Sequence, residues 1–210
     1  MPKKILMIVG DFSETLEVYT PLFTLRCLGF EVDVACPNKT KGDTITTAVH
    51  DISPLHQTYT ETPGHACMIT CNFETLNPKN YDGLCLPGGR APEYLRMNPK
   101  VLECVKCFIT CCKPIAAMCH GPQLLLATGC MTGRKMTCYP TVMPECTLAN
   151  TEYCKVPNDE CIVDNNIVTA PTWMACPQMM MCFTELLGCK ITPPPTTGPT
   201  TGPTGPMMMQ

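Results

Sequence analysis

The stretch PIAAMCHGPQLL, residues 114–125, decides the fold. Ile115 to Met118 form a short continuous apolar run, as a strand buried on both faces requires, and a helical segment starts directly after it at His120-Gly121-Pro122. A strand that turns at once into a helix leaves the junction residue above the C-terminal edge of a parallel sheet, where open α/β sheets place their sites. Cys119 is that residue, and Gly121 supplies the small side chain that so tight a turn needs. Unpaired N–H groups at the helix start favour negative charge, so a thiolate at Cys119 is expected to be stabilised relative to a free thiol.

The same grammar extends in both directions. KILMIV, residues 4–9, is an apolar run that stops at Gly10-Asp11. A helix follows, with Ser13 as its expected N-cap, Leu16, Tyr19, Leu22, Phe23 and Leu25 as its apolar face, and Gly29 at its end. EVDVACP (31–37) and YDGLCLPGG (81–89) read as further strands, and Pro99 to Cys112 as a helix. After the elbow come a strand KMTCY (135–139), a helix TVMPECTLA (141–149), a hairpin CIVDNNIVTA (161–170) turning at Asp164–Asn166, and a helix from Pro177 to Leu187. The β-α-β order predicts an α/β fold with a mainly parallel sheet. Residues 40–76 differ: threonine-rich, partly alternating segments broken by Gly, Pro and Asp predict small antiparallel additions at the sheet edge. Residues 1–190 are read as one domain, and 191–210, ITPPPTTGPTTGPTGPMMMQ, as a disordered tail too poor in apolar surface to fold.

With 45% apolar and 16% charged residues and a net charge of −3, nothing electrostatic points to nucleic acid or to an anionic membrane as partner. The apolar tract 174–189 is interrupted by Pro177, Gln178 and Glu185 and is shorter than the roughly 20 residues a bilayer needs. MPKKILMIVGD has too short an apolar run for a signal peptide, so a cytoplasmic protein with reduced thiols is expected. Most of the eighteen cysteines stand where a small apolar residue would serve: Cys36, Cys85, and Cys104 with Phe108 and Cys111 at helical spacing. Cys104, Cys107 and Cys111 share one helix surface and cannot surround a tetrahedral ion, so no metal is expected.

Two further loops should reach the edge that carries Cys119. In LPGGRAPE, residues 86–93, the amides of Gly88 and Gly89 join that of His120 as candidates to hold an oxyanion, with Arg90 beside them as a candidate for substrate binding. GDFSETLEV, residues 10–18, carries Glu14, read as a complement to the helix dipole, and Glu17, which either snorkels at the rim or points into a pocket above the sheet. His50, His56 and His65 are read as polar loop residues.

GDFSETLEV, LPGGRAPEYLR, PIAAMCHGPQLL and GRKMTCYP together resemble the DJ-1/PfpI superfamily, most closely its PfpI-like and plant DJ-1-like branch, from about Lys3 to Gly188. The resemblance implies a flavodoxin-like α/β/α sandwich related to class I glutamine amidotransferases. It implies Cys119 as nucleophile, His120 as its adjacent partner, Glu17 as the pocket glutamate that bonds the thiol, and Glu93 as a residue completing a triad across a subunit interface, hence a homo-oligomer. Neighbouring helical residues diverge by about 100°, which places His120 poorly for taking a proton from Cys119 and makes Glu17 the better acid/base. Relatives often carry histidine where Cys176 stands in Trp173-Met-Ala-Cys176-Pro177. The expected activity is cofactor-independent: a glyoxalase III or deglycase acting on a small dicarbonyl or its glycated adducts. The alternatives are an intracellular cysteine peptidase using Cys119, His120 and Glu93, and a redox-sensing or chaperone-like protein using the same cysteine.

Overall fold

The computed structural model describes residues 2–192, so the expected tail lies outside the described residues except for its first two positions. In chain order the elements are β1 Lys4–Ile8, α1 Thr15–Cys27, β2 Glu31–Ala35, β3 Thr44–Asp51, β4 Thr60–Met68, β5 Gly83–Leu86, α2 Ala91–Leu95, α3 Pro99–Thr110, β6 Ile115–Met118, α4 Pro122–Ala127, β7 Lys135–Met136, α5 Met143–Leu148, β8 Glu152–Tyr153, β9 Ile162–Asp164, β10 Ile167–Ala170 and α6 Cys176–Leu186. The main sheet has the order β2-β1-β5-β6-β10-β9. Its first five strands run parallel, and β9 pairs antiparallel to β10 through a turn in which Asn165 takes a positive φ.

Strand alternation divides the interior into two layers. From β1, Leu6 and Ile8 point to one face, where Leu84, Leu86, Ile115 and Ala117 join Val101, Phe108, Leu124 and Leu125 from α3 and α4. Ile5, Met7 and Val9 point to the other, where Cys85, Met118 and Val168 meet Val18, Leu22 and Leu25 of α1 and Met179, Met180 and Phe183 of α6. The sheet is thus covered by helices on both sides, the flavodoxin-like sandwich, and β1, β5, β6 and β10 are apolar apart from Lys4 at the start of β1 and Thr169 in β10, because neither face meets water.

Three local expectations are corrected. Ser13 does not cap α1: it forms a β-bridge with Gly89, its Oγ accepts from the Gly10 amide at 3.1 Å, and Glu14 caps instead, its Oε2 accepting from the Glu17 amide at 2.7 Å. The buried stripe of α1 is Val18, Pro21, Leu22 and Leu25, while Leu16 and Phe23 are exposed at 45% and 59%. An i, i+3, i+4, i+7 stripe thus faces the sheet, rotated from the expected face. Cys111 is exposed just past the end of α3, although Cys104 and Phe108 are buried as its core stripe.

Residues 44–68 are not an addition at the sheet edge. β3 and β4 form a ribbon of their own, irregular between Thr46 and Ala48, where Pro63 stands opposite Ala48; β4 tolerates the proline because the ladder is already broken there. The loop after β1 gives the ribbon a strand-like partner: Phe12 N donates to Thr46 O at 2.7 Å and Ala48 N to Ser13 O at 2.8 Å. Beyond the elbow, KMTCY is a strand only at Lys135–Met136, paired with β8.

Phe108 is fully buried in the layer below α3. Phe108→Ala is expected to destabilise the fold by about 3–5 kcal/mol, read as a shift in the urea midpoint at unchanged slope.

Candidate active site

β6 ends at Met118, and Cys119 takes φ +56°, a left-handed conformation uncommon for a residue with a Cβ. Its backbone is held on both sides, the amide donating to Ala170 O at 2.9 Å and the carbonyl accepting from the Tyr139 amide at 2.9 Å. Gly121 closes the turn against β5: a Cβ there would lie 2.2 Å from the Leu86 carbonyl oxygen. Gly88 is equally constrained, since a Cβ on it would lie 2.7 Å from each of Cys119 Cβ, Glu17 Oε2 and His120 N. Loop, nucleophile, acid and helix start therefore converge on one point.

Glu17 is completely buried; it points into the pocket rather than snorkelling. Its Oε2 accepts from the Gly88 amide at 2.7 Å, whereas Oε1 has no hydrogen-bond partner, and the Cys119 thiol lies beside the carboxyl. Burial, and then the neighbouring Glu14 charge, push Glu17 well above the carboxylate range, favouring its protonated form. Burial also raises Glu14, to about 7.

The expected stabilisation of a Cys119 thiolate is reversed in this structure. Burial pushes the thiol up, the Glu17 charge adds to that, and the amides of Gly89 and His120 pull the other way without prevailing. α4 is a six-residue helix, too short for its end to offset the loss of water around a sulfur that is 7% exposed. Since a charged Glu17 repels the thiolate, the ionised sulfur belongs with a protonated Glu17.

His120 is 6% exposed, and neither ring nitrogen has a partner. Its ring stacks on Tyr139 with centroids 5.3 Å apart, and burial lowers its pKa, keeping it neutral. Glu93, on α2, is exposed and makes no hydrogen bond to His120 within the chain. Arg90 is turned away as well: its Nη2 pairs with Glu61 at 2.8 Å and its guanidinium lies over the Phe12 ring. Arg90 and Glu93 line a separate open cleft of about 810 Å³ with Asp11, Lys39 and Tyr94. Cys119, Glu17 and the backbone of Gly88, Gly89 and His120 are thus brought together; the Arg90 side chain is turned away, and Glu93 bears on His120 through its charge.

The space above Cys119 is about 10 Å³. Glu14 and Glu17 form one wall and Tyr139, Thr172 and Trp173 another, with His50, Ile52 and Tyr59 contributed by the ribbon and its connecting loop. Glu14 and His50 are site-lining residues that the sequence reading placed elsewhere. For His50 a signal existed: TITTAVHD alternates on either side of its bulge, and His50 falls in phase with buried Ala48, opposite exposed Val49. Tyr59 lies in an irregular stretch and carries no such signal. Among the described residues no three His, Cys, Asp or Glu side chains are grouped so as to hold a metal ion.

The raised thiol predicts that iodoacetamide labelling of Cys119, followed by mass spectrometry of its peptide, keeps accelerating beyond pH 9 in the folded protein. The same cysteine in urea should level off in the ordinary thiol range of about 8.5. A plateau below pH 8 in the folded protein would show that the two amides outweigh burial.

A glycine-walled elbow cysteine facing a buried glutamate can be set beside known proteins. The DJ-1/PfpI family matches residues 3–186. Protein DJ-1 homolog D of Arabidopsis thaliana is 43% identical over 191 residues, 90% of this chain and 49% of that protein. The deglycase PfpI of Pyrococcus furiosus is 33% identical over 167 residues, 80% of this chain and 89% of that protein. The chain spans about half the length of the plant relatives it matches. Among solved structures, Drosophila melanogaster DJ-1beta superposes with a TM-score of 0.73 at 21% identity, over 90% of this chain and 92% of that one, a likeness of fold. With its elbow, glycine loop and buried glutamate all inside the matched span, the chain belongs to the DJ-1/PfpI family.

Proposed function

We propose that the chain is a cofactor-independent cysteine enzyme of the deglycase and glyoxalase type, acting on a small α-oxoaldehyde such as methylglyoxal or on its adducts. The observation that carries this reading is a pair of unpartnered buried polar atoms on residues that line the cavity over one sulfur, Glu17 Oε1 and Trp173 Nε1, with the buried ring of His120 next along the chain. Buried polar atoms are ordinarily paired, and a small molecule rich in oxygen would pair these. Relatives named as deglycases, at 32–33% identity, support the same class of reaction.

The chemistry follows from the proton held by Glu17. In the reactive form Cys119 is a thiolate and Glu17 an acid. The sulfur adds to the aldehyde carbon, and the carbonyl oxygen, flanked by the amides of Gly89 and His120, takes the proton of Glu17 to give a hemithioacetal. Glu17, now a carboxylate, removes the proton from the carbinol carbon while neutral His120 hydrogen-bonds the second oxygen, and an enediolate forms. Glu17 returns its proton to the adjacent carbon as the first hydroxyl's proton passes through His120 to the second oxygen, and a thioester remains. Water hydrolyses it to lactate and the free thiol. Peptide hydrolysis is disfavoured on size, since a polypeptide needs an open cleft above the sulfur.

Methylglyoxal consumption without glutathione is the direct assay. Cys119→Ala should abolish turnover, and Glu17→Gln should lower kcat by about 10² to 10⁴ with the fold intact. Equal loss from neither substitution removes the reading.

In this proposal Glu93 of a second copy completes His120, whose ring nitrogens are unpartnered within one chain. Cys119→Ala mixed with Glu93→Ala should then regain activity that each lacks alone, and it should be lost again on dilution below the oligomer's dissociation range. Full activity of Glu93→Ala by itself would take that residue out of the mechanism.

A further inference from the structure

We infer that Tyr59 sets the size of substrate that reaches Cys119, a step that rests on the reading of the site as one for small aldehydes. The space over the sulfur, about 10 Å³, barely holds one water, so any substrate must displace part of the wall. Most of that wall is fixed. Glu14 and Glu17 belong to α1, Tyr139 is bonded to the Cys119 carbonyl through its amide, and Thr172 accepts from the Met174 amide as it caps the turn that leads into α6.

Ile52 and Tyr59 are held differently. They come from residues 52–59, between the end of β3 and the start of β4, where the hydrogen bonds found are internal: Leu55 N to Ser53 Oγ at 3.2 Å and His56 N to Ser53 O at 3.2 Å. Ile52 is 40% and Leu55 87% exposed. Tyr59 is kept over the site by ring contacts, edge-on to His120 at 5.9 Å and to Tyr139 at 5.5 Å, with His50 behind it at 4.5 Å. His50 in turn is fixed by Glu61, which Arg90 also holds. The aromatic ring is therefore the movable ceiling of the cavity, held by ring packing and, among the described residues, by no hydrogen bond of its own. A two- or three-carbon oxoaldehyde passes with a small displacement of the ring. An aryl-substituted oxoaldehyde has to take the ring's place.

Tyr59→Ala and Tyr59→Phe, each checked for folding by circular dichroism, test this on two readouts. With turnover, Tyr59→Ala should raise kcat/KM for phenylglyoxal relative to methylglyoxal by about tenfold or more, and Tyr59→Phe, which keeps the ring, should leave the ratio at the wild-type value. Without turnover, labelling of the Cys119 peptide by N-benzylmaleimide against iodoacetamide gives the same comparison: Tyr59→Ala should favour the bulky reagent by a similar factor. An unchanged labelling ratio in Tyr59→Ala overturns the role of Tyr59. Absence of glyoxalase activity together with a changed labelling ratio overturns the substrate reading and leaves the ceiling in place.

Discussion

The contact on which the site depends is between Gly121 and the Leu86 carbonyl of the adjacent strand. It lets the turn after β6 press against β5 so closely that the chain leaves the sheet within one residue, and Cys119 accepts a left-handed backbone as the result. Such a conformation costs of order 1–3 kcal/mol and survives only where surrounding bonds over-determine it. Here the Ala170 carbonyl and the Tyr139 amide do so. The same approach brings the Gly88–Gly89 loop, which follows β5, over the sulfur, so that one glycine contact positions both the nucleophile and the amides around it.

Around that framework the electrostatics are those of a dry enclosure. Two carboxyls and a thiol lie within one pocket, and burial makes each reluctant to ionise. A buried acid next to a buried sulfur constitutes a proton-sharing pair whose charge state is a property of both groups. In the proposed reaction this lets Glu17 serve as an acid before bond formation and a base after it.

Much of the scaffold could be read from residue patterns. Continuous apolar runs at 4–9, 83–86 and 115–118 are strands buried on both faces, and the glycine spacing around Cys119 located the elbow. The errors share a cause, namely that backbone partners far away in sequence override local preference. Ser13 is a good capping residue by chemistry, yet Gly89 claims its backbone for a bridge and Glu14 inherits the cap. The face of α1 was misjudged because Leu16 and Phe23 are apolar in composition while the sheet sits against Val18, Leu22 and Leu25. The helix-start argument for an ionised Cys119 failed because periodicity reveals direction, whereas solvent loss depends on what the β3–β4 ribbon covers.

The ribbon's manner of attachment has an evolutionary meaning. Apart from the short backbone bonds that join it to residues 12–14, β3–β4 shares no ladder with the main sheet. Its length and its tip can be altered by insertion, deletion or replacement while every rung that supports the elbow stays in place. The elbow and part of the wall that covers it are therefore carried on separable pieces of chain.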